Sequence, residues 1–206
     1  MRLPEGLLST RKGTAIKLDL LLDEAEKRAF ELVQKASPEM PAAQQQAVAR
    51  AVGIGAVKYA DLSQNQQSAV SFTWEKALAM DGNSAPYLQY AYARIASVLD
   101  KHRERFPGCD YRREPIVLDS PFARRLALRL ARYPDVLLDA AEQEKPSLLA
   151  DALYDLSQAY SSFYQNVPFL KADPGIRESR VRLCDLVAKV LSHGLSLLGI
   201  ETPDRI

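Results

Sequence analysis

Three side chains in residues 80–94 have the chemistry needed to hold an unpaired nucleotide: Tyr87, Tyr90 and Arg94. The stretch is MDGNSAPYLQYAYAR. A phenol ring can stack on any base, and a guanidinium can neutralise a phosphate or stack in turn. At 100° per residue the three side chains cluster on one flank of a helix, beside its apolar stripe. This flank suits single-stranded RNA, although half-buried tyrosines with bonded hydroxyls would give the same pattern.

A second candidate for phosphate chemistry is the run STRKG at residues 9–13. It combines two hydroxyls, two cations and a glycine, which is the composition of a mobile loop that grips phosphate. An ordinary basic turn near a chain terminus has the same composition. The run alone leaves both interpretations open.

The remaining reactive side chains do not form a recognisable catalytic or metal-binding pattern. Cys109 and Cys184 lie far apart without metal-ligand spacing, so both are predicted to be reduced structural thiols and no metal site is expected. His102 stands among charged residues and is predicted to be at the surface. His193 lies near a helix end, where a structural role is favoured. No independent active site is indicated.

Apolar residues recur at helical spacing along most of the chain, which predicts that helices position these side chains. The sequence predicts an all-α helical bundle, with a short extended piece at residues 71–74. Gly53 and Gly55 weaken one helix but permit close approach of another backbone. Turn formers at Asp81–Ser84, with Ser84 as a cap, predict a loop leading into the tyrosine helix. The predicted helices span residues 19–36, 41–60, 86–105, 120–131, 134–143, 147–166 and 174–198.

Length and composition favour a chain with a sizeable core and no membrane span. The chain has 206 residues, of which 47% are hydrophobic, and no apolar run approaches the ~20 residues that cross a bilayer. The first residues do not resemble a secretory leader, so a cytoplasmic location is expected.

The formal net charge of +1 hides a strong asymmetry. Residues 101–132 contain nine Lys or Arg and four Asp or Glu, whereas residues 135–155 contain six acids and one lysine. A basic segment of this kind is compatible with local contact to RNA phosphates. A solvated face whose arginines pair with the acidic segment explains it as well.

Several segments, taken in order, resemble arginyl-tRNA synthetase. VGIGAVKYADLSQN at residues 52–65, SFTWEKALAMDGNSAPYLQYAYARI at 71–95 and LLGIETPDRI at 197–206 are similar to that family in content and spacing. LSTRKGTAIKLDLLLDEA at residues 8–25 resembles the signature loop that closes a class I synthetase active site. KPSLLADALYDLSQAYSSFYQNVPFL at residues 145–170 is similar to a helix of the DALR-type anticodon-binding domain. On pattern alone, apolar positions of that helix, including Tyr164, are predicted to be core.

The resemblance divides the chain and implies a function for it. Residues 1–36 would be a remnant of the catalytic domain with its connecting helix, and residues 37–206 the helical anticodon-binding domain. It implies that this chain is the part of the enzyme that binds the anticodon of the tRNA for arginine; neither DNA nor a membrane is implied as a partner. The oligomeric state stays open. The alternative is a non-catalytic interaction protein derived from a synthetase.

Site residues follow from the resemblance position by position. In the arginine enzymes the loop before the tyrosine helix, that helix and the last residues surround the anticodon. The implied anticodon contacts are Ala79, Asp81, Gly82, Asn83, Tyr87, Tyr90, Arg94 and Ile206. Ile206 stands where the family most often has methionine, which preserves an apolar contact.

The full enzyme uses ATP with Mg, and the resemblance assigns the phosphate contacts to Arg11 and Lys12, with Ser9 as a hydrogen-bonding neighbour. Leu8 replaces the usual methionine. The family's other ATP signature has two histidines separated by two residues, and neither His102 nor His193 lies in such a motif. We therefore expect no cofactor for this chain and no arginyl adenylate from it alone.

Overall fold

A computed structural model describes residues 2–3, 6–7, 17–65 and 72–206. Within these residues eight helices account for nearly all regular structure, which confirms the predicted helical architecture. Two strands of two residues each, β1 (Arg2–Leu3) and β2 (Gly6–Leu7), pair antiparallel. The helices are α1 (Leu18–Ala36), α2 (Ala42–Leu62), α3 (Trp74–Ala77), α4 (Ala85–Arg105), α5 (Pro121–Ala131), α6 (Tyr133–Glu142), α7 (Pro146–Asn166) and α8 (Ile176–Leu197). None of the described helices is both long and apolar enough to cross a membrane.

Helix boundaries follow the capping chemistry of the sequence. The Ser84 and Ser120 hydroxyls accept hydrogen bonds from backbone N–H groups three residues later, at the starts of α4 and α5. Trp74, predicted to be extended, instead begins α3 behind the extended cap Thr73. The last helix begins two residues later than predicted because Gly175 has φ +86°, a left-handed conformation that interrupts the chain before Ile176.

Two hydrophobic clusters organise the bundle. The larger one joins α4, α5, α7 and α8, and its fully buried members include Leu88, Ile95, Leu153 and Phe163. The smaller one joins α1, α2 and the segment that contains α3. Since α2 also contributes Tyr59 to the larger cluster, it connects the two and fixes the position of α3 and of the loop that follows.

Close packing of α1 on α2 depends on Gly53. A Cβ atom at this position would lie 2.6 Å from the Ala25 carbonyl oxygen and 2.8 Å from the Glu26 nitrogen. The backbone of α1 thus occupies the space that any side chain would need. This confirms the close approach predicted from the glycine pair, and it identifies α1 as the neighbour.

A buried charged cluster joins the end of α4 to the start of α8. Glu178 is buried; its carboxylate accepts hydrogen bonds from the Gly175 N–H at 2.6 Å and from the Arg177 guanidinium at 2.6–2.7 Å. The Cys109 thiol donates to the same carboxylate at 3.4 Å. His102 Nε2 lies 3.7 Å from it.

The predicted surface position of His102 is wrong. Its side chain is 1% exposed, because it follows Val98 by one helical turn and so lies on the buried face of α4. Burial lowers the pKa of His102, an effect that outweighs the opposite influence of Glu178. The imidazole is therefore neutral in the folded chain at neutral pH.

This cluster predicts a loss of stability in acid. Burial alone would raise the pKa of Glu178, but the hydrogen bonds from Gly175, Arg177 and Cys109 outweigh it and lower the pKa to about 2. Because the folded pKa is depressed, the stabilisation is present above the ordinary value of 4.5 and is lost as pH falls from about 4.5 to 2. The depressed pKa of His102 adds a further loss as pH falls below about 6.5.

We expect the Glu178 contribution to be about 3 kcal/mol, at 1.36 kcal/mol per pKa unit. Urea unfolding across this pH range measures it. Glu178→Gln should flatten the acid limb, that is, the low-pH part of the plot of unfolding free energy against pH, and should lower stability at pH 7. Asp100→Asn, which removes an exposed acid on α4, is the control and should leave the limb unchanged. An acid limb of equal slope in Glu178→Gln would assign the effect to other carboxylates.

Candidate nucleic-acid interface

The loop between α3 and α4 is held in a defined turn. Gly82 has φ +75°, and a Cβ atom there would meet nothing within 4 Å. The Ser84 hydroxyl donates to the Ala79 carbonyl at 2.6 Å and also caps α4, so one side chain closes the loop at both ends. Ala79 is half-buried, whereas Asp81 and Gly82 are exposed at the tip.

Asn83 connects this loop to α2 and α7. Its side-chain oxygen accepts a hydrogen bond from the Tyr59 hydroxyl at 2.6 Å, and its amide donates to Asp151 at 3.4 Å. Burial, followed by the nearby Asp151, raises the pKa of Tyr59, which keeps the phenol protonated as a donor. The Asn83 amide thus orients the loop, and the exposed groups of Asp81 and Gly82 are those left free for a ligand.

Next to Asn83 lies a small pocket of about 120 Å³. Tyr59, Asn83, Ser84 and the exposed Lys76 are among its lining residues. Lys76 places a positive charge beside the loop that sequence reasoning did not identify. Its position just before a turn-rich loop is the only feature of the sequence that could have suggested it.

Tyr87 is packed between helices. Its hydroxyl lies 3.1 Å from the Ser161 hydroxyl, and its ring meets Tyr154 edge-on with centroids 5.7 Å apart. The side chain is only half-buried, so part of the ring stays accessible. For this residue the alternative of a half-buried tyrosine with a bonded hydroxyl matches the geometry.

Tyr90 and Arg94 form a separate stacked arrangement with Tyr164. The Arg94 guanidinium carbon lies 4.7 Å from the Tyr90 ring centroid and 5.1 Å from that of Tyr164. Both distances fall within the range of cation–π attraction. Among the described residues the guanidinium has no ion pair or hydrogen bond, so its N–H donors remain available.

Tyr164 corrects a prediction made from the sequence. The pattern predicts a core position, yet Tyr164, in the last turn of α7, is 37% exposed although the preceding residue Phe163 is fully buried. Its partner Arg94 is 70 positions earlier in the chain. Periodicity within α7 indicates neither the exposure nor the contact, because Tyr164 follows the buried Tyr160 by one helical turn.

A groove of about 780 Å³ runs beside this arrangement. Tyr90, Arg94, Tyr164 and Ile206 all line it. Ile206 is half-buried against the smaller hydrophobic cluster, and its main-chain oxygen accepts a hydrogen bond from the Ser37 hydroxyl at 3.2 Å. Two aromatic rings, a guanidinium and an aliphatic side chain thus face one cavity.

The segment after α8 is fixed against α4 by polar contacts, one of them exposed. The amide of Gln89, which is fully buried, donates to the Glu201 carbonyl at 2.7 Å and to the Ala51 carbonyl at 3.1 Å. The Tyr92 hydroxyl donates to Asp204 at 3.2 Å. These bonds hold Ile206 at the groove.

The predicted anticodon residues therefore form two groups along α4. Ala79, Asp81, Gly82 and Asn83 lie at the loop, and Tyr90, Arg94 and Ile206 lie at the groove, with Tyr87 between them. From Ser84 to Arg94 the helix advances about 15 Å, a length that would span about four stacked nucleotides at ~3.4 Å each. The arrangement can hold a short single strand, with bases stacked at one end and base edges or phosphates met at the other.

Ser9, Arg11 and Lys12, the predicted phosphate contacts, lie outside the described residues. Their role stays a prediction.

One group of side chains in the described part of the chain brings metal-ligating atoms together. The ligand atoms of His102, Cys109 and Glu178 lie within 4.8 Å of one another. The Arg177 guanidinium already bonds this carboxylate, so a cation bound there would lie beside a fixed positive charge. The side chains of this cluster therefore surround the Arg177–Glu178 ion pair.

Comparisons with known proteins match two family models to consecutive parts of the chain, and the boundary predicted at residues 36–37 stays a prediction. The family model for the DALR anticodon binding domain matches residues 88–206, and that for tRNA synthetases class I (R), catalytic domain, matches residues 5–74. The chain is 46% identical over 206 residues to an arginine–tRNA ligase of Fusobacterium nucleatum, covering 100% of the chain and 36% of that protein. For the arginine–tRNA ligase of Proteus mirabilis the identity is 43% over 198 residues, covering 96% and 34%.

A solved structure shows the same fold. The Thermus thermophilus arginyl-tRNA synthetase superposes with a TM-score of 0.86 at 30% identity, covering 100% of this chain and 34% of that one. The chain thus spans about a third of the length of the relatives it matches.

Proposed function

Because the chain belongs to the DALR anticodon-binding domain family of arginyl-tRNA synthetases, preceded by the end of the class I catalytic domain, we propose that it binds the anticodon arm of the tRNA for arginine. One observation supports this proposal above the others. Tyr90, Arg94 and Ile206, from two distant parts of the sequence, line one groove. That groove lies along α4, the helix that follows the exposed loop at Asp81 and Gly82.

The chemistry of the two groups suggests a division of tasks. At the groove, Tyr90 and Tyr164 offer ring faces to splayed bases, and Ile206 offers an apolar contact that does not discriminate strongly among them. At the loop, backbone groups of residues 81–82 can meet base edges, which is how single-stranded RNA is read specifically. Asn83 acts as the positioning residue for that loop, since both ends of its amide are bonded to protein.

A titration of the chain with the tRNA for arginine tests the proposal. Anticodon-substituted versions of the same tRNA are the controls, because they keep every phosphate and change only the bases. We expect affinity to fall by about 1–3 kcal/mol for each essential base that is changed, the range found for individual base contacts. Equal affinity for all versions at moderate salt would refute anticodon recognition. A stable protein partner in pull-downs, with no RNA, would favour the non-catalytic interaction protein.

For the whole protein we propose attachment of arginine to this tRNA with ATP and Mg. The supporting observations are the arginine–tRNA ligases to which the chain is similar and the match of residues 5–74 to the catalytic-domain family. Arg11 and Lys12 would contact the ATP phosphates and Ser9 would lie beside them. Loss of arginine-dependent pyrophosphate exchange in Lys12→Ala within the full enzyme, with tRNA binding retained, is the expected outcome.

A further inference from the structure

A cluster of arginines on α5 lies outside the two groups described above. Arg124, Arg125, Arg129 and Arg132 line an open depression of about 630 Å³ together with Pro121 and Leu128. All four arginines are exposed. At 100° per residue they fall within a sector of about 140°, opposite the buried Ala123 and Leu126. We call these four residues the α5 arginine face.

Most of the positive charge on this face is unpaired. Arg129 forms an ion pair with Asp155 at 2.9 Å, and Arg124 donates only to the Leu118 carbonyl at 3.4 Å. In the described ranges Arg125 and Arg132 have neither an ion pair nor a side-chain hydrogen bond. The acidic segment that follows in sequence therefore neutralises one of the four arginines. Exposed cations separated by one or two helical turns repel one another, so the face is suited to an anionic ligand.

The α5 arginine face is close to the loop group. Arg129 contacts Asp155 of α7, and Asp155 lies one helical turn, about 6 Å, from Asp151. Asp151 in turn accepts a hydrogen bond from Asn83. A nucleic acid whose loop bases reach residues 81–83 thus has its adjoining backbone near α5.

We propose that the α5 arginine face binds the phosphate backbone of the same tRNA, next to the anticodon loop. This inference rests on the proposed function. Arginine forks match phosphate oxygens with two parallel hydrogen bonds, and the ~10 Å from Arg125 to Arg132 along the helix spans several consecutive phosphates. Contacts of this kind position the RNA without reading its sequence.

The test compares Arg125→Gln/Arg132→Gln with Lys27→Gln/Arg50→Gln, which removes two exposed cations from α1 and α2. Binding to the tRNA for arginine and to a tRNA with a different anticodon is measured from 50 to 200 mM salt. We expect the α5 variant to bind both tRNAs about tenfold more weakly at low salt, with the salt slope reduced by about 1.4–1.8, or 0.7–0.9 for each phosphate that the variant no longer neutralises. The ratio of the two affinities should not change, and the control should match the unmodified chain.

The inference and the proposed function fail in different ways. A salt slope in the α5 variant equal to that of the control would overturn the inference. Equal affinity of the unmodified chain for the two tRNAs would instead count against the proposed function alone. Sedimentation with vesicles containing anionic lipid is the third measurement. Vesicle binding that the α5 variant loses, with tRNA binding intact, would assign the face to a membrane surface and overturn the inference.

Discussion

Tyr90→Ala is expected to weaken binding of the tRNA for arginine by about 1–3 kcal/mol, roughly 5- to 150-fold. The ring is 38% exposed at the groove, and removing it takes away both a stacking surface and one of the two rings that hold the Arg94 guanidinium. Arg94→Ala should weaken binding to a similar extent, because its donors have no partner within the described part of the chain and its position is fixed by the rings. Filter binding or fluorescence anisotropy with labelled tRNA measures both.

Matched variants separate this effect from loss of structure. Tyr90→Phe keeps the ring and should bind nearly as well as the unmodified chain. Arg103→Ala removes a more exposed arginine of the same helix that pairs with Asp100, and should change affinity little. Tyr87→Ala should lower thermal stability as well as affinity, because it also removes the packing against Ser161 and Tyr154. Unchanged affinity in Tyr90→Ala would contradict the stacking role.

Gly53→Ala is expected to destabilise the chain by about 2–3 kcal/mol, a substantial part of the 5–15 kcal/mol typical of a folded domain. Two effects oppose each other here. Alanine favours a helix over glycine by about 1 kcal/mol, but its Cβ would lie 2.6–2.8 Å from backbone atoms of Ala25 and Glu26, which cannot rotate away. The helices α1 and α2 must separate, so the steric cost is larger.

Urea unfolding measures the change, and two substitutions in α2 calibrate it. Ala47→Gly, at an exposed position, should cost about 1 kcal/mol through helix propensity alone. Gly55→Ala should cost less than Gly53→Ala, because its Cβ would meet side-chain atoms of Ile200 and Gln89 at 3.0–3.1 Å. A stabilising Gly53→Ala would show that α1 does not rest on α2 in solution as it does in the structure.

Local chemistry made much of the fold predictable. Serine caps and prolines in first turns placed α4 and α5 within one residue, because these signals act through neighbouring backbone groups. The start of α8 lies two residues after the predicted one, since the left-handed Gly175 is fixed by a hydrogen bond to Glu178 that only the folded chain shows. The surface position predicted for His102 from its charged neighbours is wrong because its helical phase, one turn after the buried Val98, places it on the buried face of α4.

The candidate site was predictable only in part. The residue types of Tyr90 and Arg94 identified the chemistry, and the family resemblance supplied the loop and Ile206. The contact of Arg94 with Tyr164, and the placement of Ile206 in the same groove, depend on how α4, α7 and the last residues pack. Contacts between positions this far apart in sequence leave no periodic trace within either segment.

Trp74 is the only tryptophan of the chain, so tryptophan fluorescence comes from a single known place in the fold. Its indole meets Phe72 edge-on at 4.9 Å and lies under the Arg28 guanidinium of α1, 5.1 Å from the ring centroid. α3 leads directly into the loop at Ala79, whereas the groove lies along α4. Tryptophan emission is therefore an intrinsic reporter of the loop and its packing on α1, whereas the nine tyrosines are spread over the chain and report on no single place. With excitation restricted to tryptophan, one unlabelled sample can report whether a ligand reaches the loop end of the interface.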